Sequence, residues 1–117
     1  MGEDRQVWLV GFEEIENKIH SVLSQMPGIS IVSFRDVCDA IEALRNGSQK
    51  PGIIIGNYSA ADLMLEVAHQ KSRYCGVRTA YLSEMDISNL AESHGAKYLK
   101  LGSDGKIDGL SCLIQGC

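Results

Sequence analysis

Proline is scarce in this chain: two in 117 residues, neither inside a Pro- or Ser-rich tract. Without such a tract, an internal repeat or a composition break, no linker is visible, and one domain spanning 1–117 is expected. A domain of this size buries about two-thirds of its unfolded surface, enough for its own core. No apolar run approaches the roughly 20 residues that cross a bilayer. The opening "MGEDRQ" is acidic, lacks the apolar segment of a secretory leader and has no Ser or Thr at its sixth position for myristoylation. A cytoplasmic location is expected. The four cysteines, Cys38, Cys75, Cys112 and Cys117, form no CxxC and match no zinc spacing. Disulfides are not expected in a reducing compartment, and Cys38, among apolar helix positions, reads as a small core residue.

Charge of one sign is lacking too. The net charge is −4, with acids and bases mixed along the chain, so no basic face is available to hold nucleic acid. His20, His69 and His94 have no second ligand three or four residues further along the chain, and no metal site is expected. "SDGKIDG" at 103–109 lacks the closing glutamate of a calcium loop and reads as a turn. Neither GxGxxG nor GxxxxGK[ST] occurs, so no cofactor is expected.

What is present is a rhythm. Five short apolar runs stand out: "VWLV" (7–10), "ISIVSF" (29–34), "GIIIGN" (52–57), "VRTAYLS" (77–83) and "AKYLKL" (96–101). Most are nearly continuous, as in parallel strands covered on both faces. The last alternates, as at a sheet edge. Helical patterns separate them. Phe12, Ile15, Ile19, Val22, Leu23 and Met26 share one face, and Pro27-Gly28 stops that helix. Asp36 can cap a second helix with the stripe Val37, Ile41, Leu44, ended by Asn46-Gly47. A third fits Ala60 to Arg73, with Leu63, Met64 and Val67 inward. A short fourth begins at Asp86 or Ser88 and closes at Gly95. A fifth is expected after Ser103, carrying Ile107, Leu110 and Leu113 or Ile114, although Gly105 and Gly109 each cost it about 1 kcal/mol relative to Ala. The expected architecture is α/β: a three-layer, doubly wound (βα)5 sandwich with a five-stranded parallel sheet of flavodoxin-like order 2-1-3-4-5. Its ligand crevice would lie at the carboxyl ends of strands one and three.

"PGIIIGNYS" (51–59) brings an amide, Asn57, to that crevice. Together with "RQVWLVGFEE", "TAYLS" and "HGAKYLK" in the same order, the chain resembles, over nearly its whole length, the receiver domain of bacterial two-component response regulators. The resemblance implies an acid pair after the first strand, an acceptor aspartate after the third, a Ser or Thr after the fourth and a Lys after the fifth. Here the acid pair falls on Gly11 and Phe12, the acceptor on Asn57 and the hydroxyl on Ser83. The lysine falls on Lys100 or, if the missing residue precedes Tyr98, on Leu101.

Charge decides what these replacements imply. Magnesium takes hard oxygen ligands, usually carboxylates, and Gly11 and Phe12 supply none. An amide cannot form an aspartyl phosphate. Phe12 reads as a packing residue that opens the first helix's apolar stripe, Trp8 as core, and Ser59 as a cap of the third helix. The segment from Ser83 to Lys100 is shorter than in the family, which abbreviates the fourth helix. The expectation is a degenerate pseudo-receiver. It would be a non-enzymatic, phosphorylation-independent signalling module that meets a protein partner or an attached output domain through Asn89, Lys97, Tyr98 and Lys100. A homodimer through the face of the fourth helix, fifth strand and fifth helix is part of that expectation. Two alternatives stay open. One is a phosphoaccepting receiver with a displaced acidic site on Glu13, Glu14 and Asp62. The other is a small-ligand sensor at Gly11 and Asn57.

Overall fold

The computed structural model describes residues 5–12, 16–25, 28–47, 51–70, 72–74, 76–102, 107–110 and 113. The strands are β1 (Arg5–Val10), β2 (Ile29–Phe34), β3 (Ile53–Gly56), β4 (Arg78–Ser83), β5 (Lys97–Leu101) and β6 (Ile107–Asp108). The helices are α1 (Glu16–Ser24), α2 (Val37–Asn46), α3 (Ala61–His69) and α4 (Ser88–Ser93). β1 to β5 form a parallel sheet of order 2-1-3-4-5, the flavodoxin-like arrangement. β6 adds an antiparallel sixth strand beyond β5.

Two apolar clusters sandwich the sheet, because alternate residues of each strand point to opposite faces. Val7, Leu9, Ile53, Ile55, Leu82 and Leu99 meet Ile19 and Leu23 of α1, with Phe12, Leu110 and Leu113. Trp8, Val10, Ile54 and Tyr81 meet Ala40 and Leu44 of α2, Leu63, Met64 and Val67 of α3, and Ala91 of α4. Ile53, Ile54 and Ile55 are wholly buried. Each such side chain contributes about 1.5–3 kcal/mol through burial. This is the reason the run is continuous rather than alternating.

Local chemistry places the helices. Asp36 accepts from the Cys38 N–H at the start of α2, and Gly47 closes it at φ 67°. Arg45 of α2 grips Glu66 of α3 with N···O contacts of 2.6 and 3.0 Å. Asp86 accepts from the Ser88 N–H and hydroxyl just ahead of α4.

Four expectations need correction. Cys38 is exposed, not core. The buried line of α2 runs through Ala40 and Leu44, with Val37 and Ile41 beside it, and Cys38 lies about 100° round the helix from Val37. Beside Asp36, its thiol is pushed above the ordinary cysteine range. α3 ends at His69, because Gln70 turns the chain and its carbonyl accepts from both Arg73 and Tyr74. Ile107 belongs to β6 rather than to a fifth helix. Gly109 at φ 85° breaks the path, and a helical turn starts only at Leu110, where the Leu113 N–H reaches the Gly109 carbonyl. Phe12 is buried against Ile19 and Leu23 but precedes α1 rather than opening it. Ile15, Met26 and Ile114 lie outside the described residues.

Candidate functional site

The crevice lies where β1 and β3 end. Gly11 follows β1 at φ 83°, a conformation that glycine adopts without strain. Its N–H donates to the Phe34 carbonyl of β2 at 2.8 Å, which fixes the strand's exit. Gly56 closes β3 against α3: a Cβ there would stand 2.6 Å from the Ala60 Cβ. That close approach brings the turn at 58–60 directly under the sheet's end and leaves Asn57 facing Gly11.

Asn57 spends both ends of its carboxamide on the backbone around it. Nδ2 donates to the Gly11 carbonyl at 2.6 Å. Oδ1 accepts from the Ser59 N–H at 2.9 Å and from the Ser59 hydroxyl. The side chain thus straps the end of β1 to the turn that starts α3. The expected cap role of Ser59 is reversed: Asn57 caps the turn, and Ser59 supplies the donors. The strap also presses close on Gly11 itself. A Cβ on Gly11 would fall 2.7 Å from Ser59 Oγ and 2.8 Å from Asn57 Oδ1.

The other mapped positions are similarly occupied. Phe12 is buried in the α1-side cluster. Ser83 ends β4, and its hydroxyl accepts from the Met85 N–H at 3.1 Å. β5 runs without interruption from Lys97 to Leu101, with Leu99 and Leu101 buried on one face. Lys100 therefore shares a face with Tyr98, and Leu101 with the opposite core. Lys100 is exposed and pairs in register with Ser83 on one side and Asp108 on the other. Asp86 is held below the usual carboxylate range, chiefly by the Ser88 hydrogen bonds and further by the Lys100 charge. Asp62 is exposed in the first turn of α3. Glu13 and Glu14 lie outside the described residues, so the displaced acidic site cannot be placed. Among the described residues, no three His, Cys, Asp or Glu converge on a common point.

A second region gathers at α4 and β5. Tyr98 is half-buried, and its hydroxyl donates to the Met85 carbonyl at 2.8 Å and approaches the Ser83 carbonyl at 3.3 Å. Burial, with Asp86 nearby, raises its phenol above the ordinary value. Tyr98 thereby holds the loop that presents Met85, which is 72% exposed. Asn89, Lys97 and Lys100 are exposed on the same elements. Beneath them Tyr81 is buried, its hydroxyl 2.7 Å from His94 Nδ1, and burial pushes its phenol up to about 12. Sequence reasoning missed Met85. Its signal was a lone apolar residue among "SEMD", in a stretch otherwise built for solvent.

No protein-family model, curated protein or solved structure matches this chain. No helix among the described residues is long and apolar enough to cross a membrane.

Proposed function

We propose that the chain is a non-catalytic, receiver-like signalling module that acts by protein–protein contact and independently of phosphorylation. One observation carries this reading: the Asn57 carboxamide occupies the crevice floor, where Nδ2 donates to Gly11 and Oδ1 accepts twice from Ser59. A reacting group at a crevice needs a free electron pair aimed at an open approach. Both lone pairs of Asn57 Oδ1 are taken by Ser59, and the Ser83 hydroxyl is turned to its own loop.

The partner surface is the α4–β5 region. It offers an exposed thioether at Met85, the ring edge of Tyr98, and the cations Lys97 and Lys100. Such a surface suits a protein partner, or an attached output domain, with an apolar notch rimmed by carboxylates.

The test is exposure of the intact protein to Mg²⁺ and a small phosphodonor, read by intact mass. No phosphoryl adduct is expected. A stoichiometric, magnesium-dependent adduct would establish the phosphoaccepting alternative.

A further inference from the structure

The two edges of the sheet are built differently. Beyond β5 the chain supplies β6, which pairs Leu101 with Ile107 and Lys100 with Asp108, and β5 carries two lysines. Lysines and covering strands are how native sheets blunt an edge. β2, at the other end, has none of these among the described residues. "ISIVSF" contains no charge and no proline, and it pairs with β1 residue for residue from Ile29 to Phe34 without a bulge. Ile29, Ile31, Val32 and Phe34 are only half-buried, where Val7, Trp8 and Val10, the β1 partners of the last three, are fully so.

Hydrogen-bond polarity shows what the edge offers. The Phe34 carbonyl accepts from Gly11, just past β1, so the groups of Phe34 point inward. The Gln6 carbonyl accepts from Gly52 on the β3 side, which gives β1 the complementary phase. Along a strand these directions alternate. Ser30, Val32 and Phe34 therefore bond to β1, while Ile29, Ile31 and Ser33 turn their N–H and C=O groups outward.

We infer that the β2 edge is a self-association site, where a second copy of this chain adds its own β2 antiparallel about a two-fold axis through Ile31. Outward groups centred on Ile31 make this register the richest. Ile31 meets Ile31 of the second copy, and Ile29 meets Ser33 on either side, each pair exchanging both backbone bonds. Centring on Ser30 or Val32 forfeits one such pair. The non-bonded positions set Ser30 against Val32, so the paired strands bring no charge opposite a charge. On the α1 side Ile29 and Ile31 of both copies form one apolar patch. A strand pair alone is smaller than a standard interface, so the dimer forms and dissociates with concentration. It leaves both α4–β5 surfaces free at the outer ends of the joined sheet.

The test is amide hydrogen exchange on the intact chain, at NMR concentration and after dilution, with mass from analytical ultracentrifugation. The dimer slows exchange at Ile29, Ile31 and Ser33 by about tenfold or more over the dilute protein, while Ser30, Val32 and Phe34 are protected in both. Ser33→Pro removes only an outward N–H, the kind of position where an edge strand tolerates proline. It is expected to be monomeric at every concentration. Should that variant fail to fold, as read by Trp8 emission, the exchange pattern still decides. A concentration-independent monomer with fast exchange at the three outward amides overturns the inference. So does a dimer abolished by Lys97→Glu or Tyr98→Ala and untouched at β2, which would place self-association on the α4–β5 face.

Discussion

The crevice and the α4–β5 face stand next to each other at the carboxyl end of one sheet, yet their polar groups are spent in opposite ways. At the crevice every polar atom of Asn57 turns inward to the chain: Gly11, Ser59 and the turn they frame. At α4–β5 the inward bonds are few and serve to hold something out. Tyr98 fixes the loop so that Met85 stays exposed, and Lys97 and Lys100 extend into solvent. A side chain bonded back to its own chain serves structure; a face that holds apolar and cationic groups in water is the one on which we propose a partner docks. Crevice substitutions should therefore cost stability, and face substitutions should spare it.

The sharpest way to break the contrast is Gly11→Ala. A methyl at φ 83°, under 3 Å from two oxygens, has nowhere to go without moving Asn57 or Ser59. A loss of about 3 kcal/mol is expected in urea unfolding followed by Trp8 fluorescence. A loss below about 0.5 kcal/mol would mean that the crevice is loose. Asn57→Asp comes next. It replaces the donor to Gly11 with a carboxylate oxygen that repels the carbonyl, at about 2 kcal/mol near neutral pH. The protonated acid can donate again, so this variant binds more protons folded than unfolded. Its deficit should shrink as pH falls through the carboxyl range. A deficit that grows on acidification would contradict the strap.

On the α4–β5 side the effects become smaller. Tyr98→Phe removes the tie to Met85 and should cost about 1 kcal/mol, with faster amide exchange in the loop at 84–86. Tyr81 sharpens the comparison through pH. Its phenol is raised in the fold, so its contribution is complete below about 10 and fades as pH climbs towards about 12. Tyr81→Phe should flatten that part of the stability curve. An unchanged alkaline slope would mean that other groups govern it. Last, Lys97→Glu and Met85→Ser should change stability by no more than about 0.5 kcal/mol, because both side chains stand in solvent.

Much of the fold was legible because parallel strands announce themselves. "GIIIGN" has no polar alternation, since both faces of β3 are covered, and the order of runs and helix stops then leaves few topologies. The end of the sheet was less legible. Ile107 fits a helical stripe by spacing, but Gly109 needs a positive φ that no spacing reveals, and pairing with Leu101 decides the outcome. Cys38 went wrong for a related reason. An apolar neighbourhood in sequence does not tell which side of α2 faces the sheet, and a step of one residue turns a side chain by about 100°. At the site, sequence placed Gly11 and Asn57 at neighbouring strand ends. It did not show that they bond each other, or that Ser59 gives its hydroxyl to Asn57 rather than to the helix. Those are contacts across a loop, where no periodicity operates. Met85 was overlooked because its signal, a single methionine in a polar loop, has no periodicity to make it stand out.

The strap at Asn57 is tested most directly by titrating Mg²⁺ with beryllofluoride into the intact protein while following its amide resonances. The account predicts no saturable shift at Gly11, Asn57 or Ser83. Saturable, metal-dependent shifts at those three amides would show a working acceptor pocket, and the inert crevice would have to be abandoned.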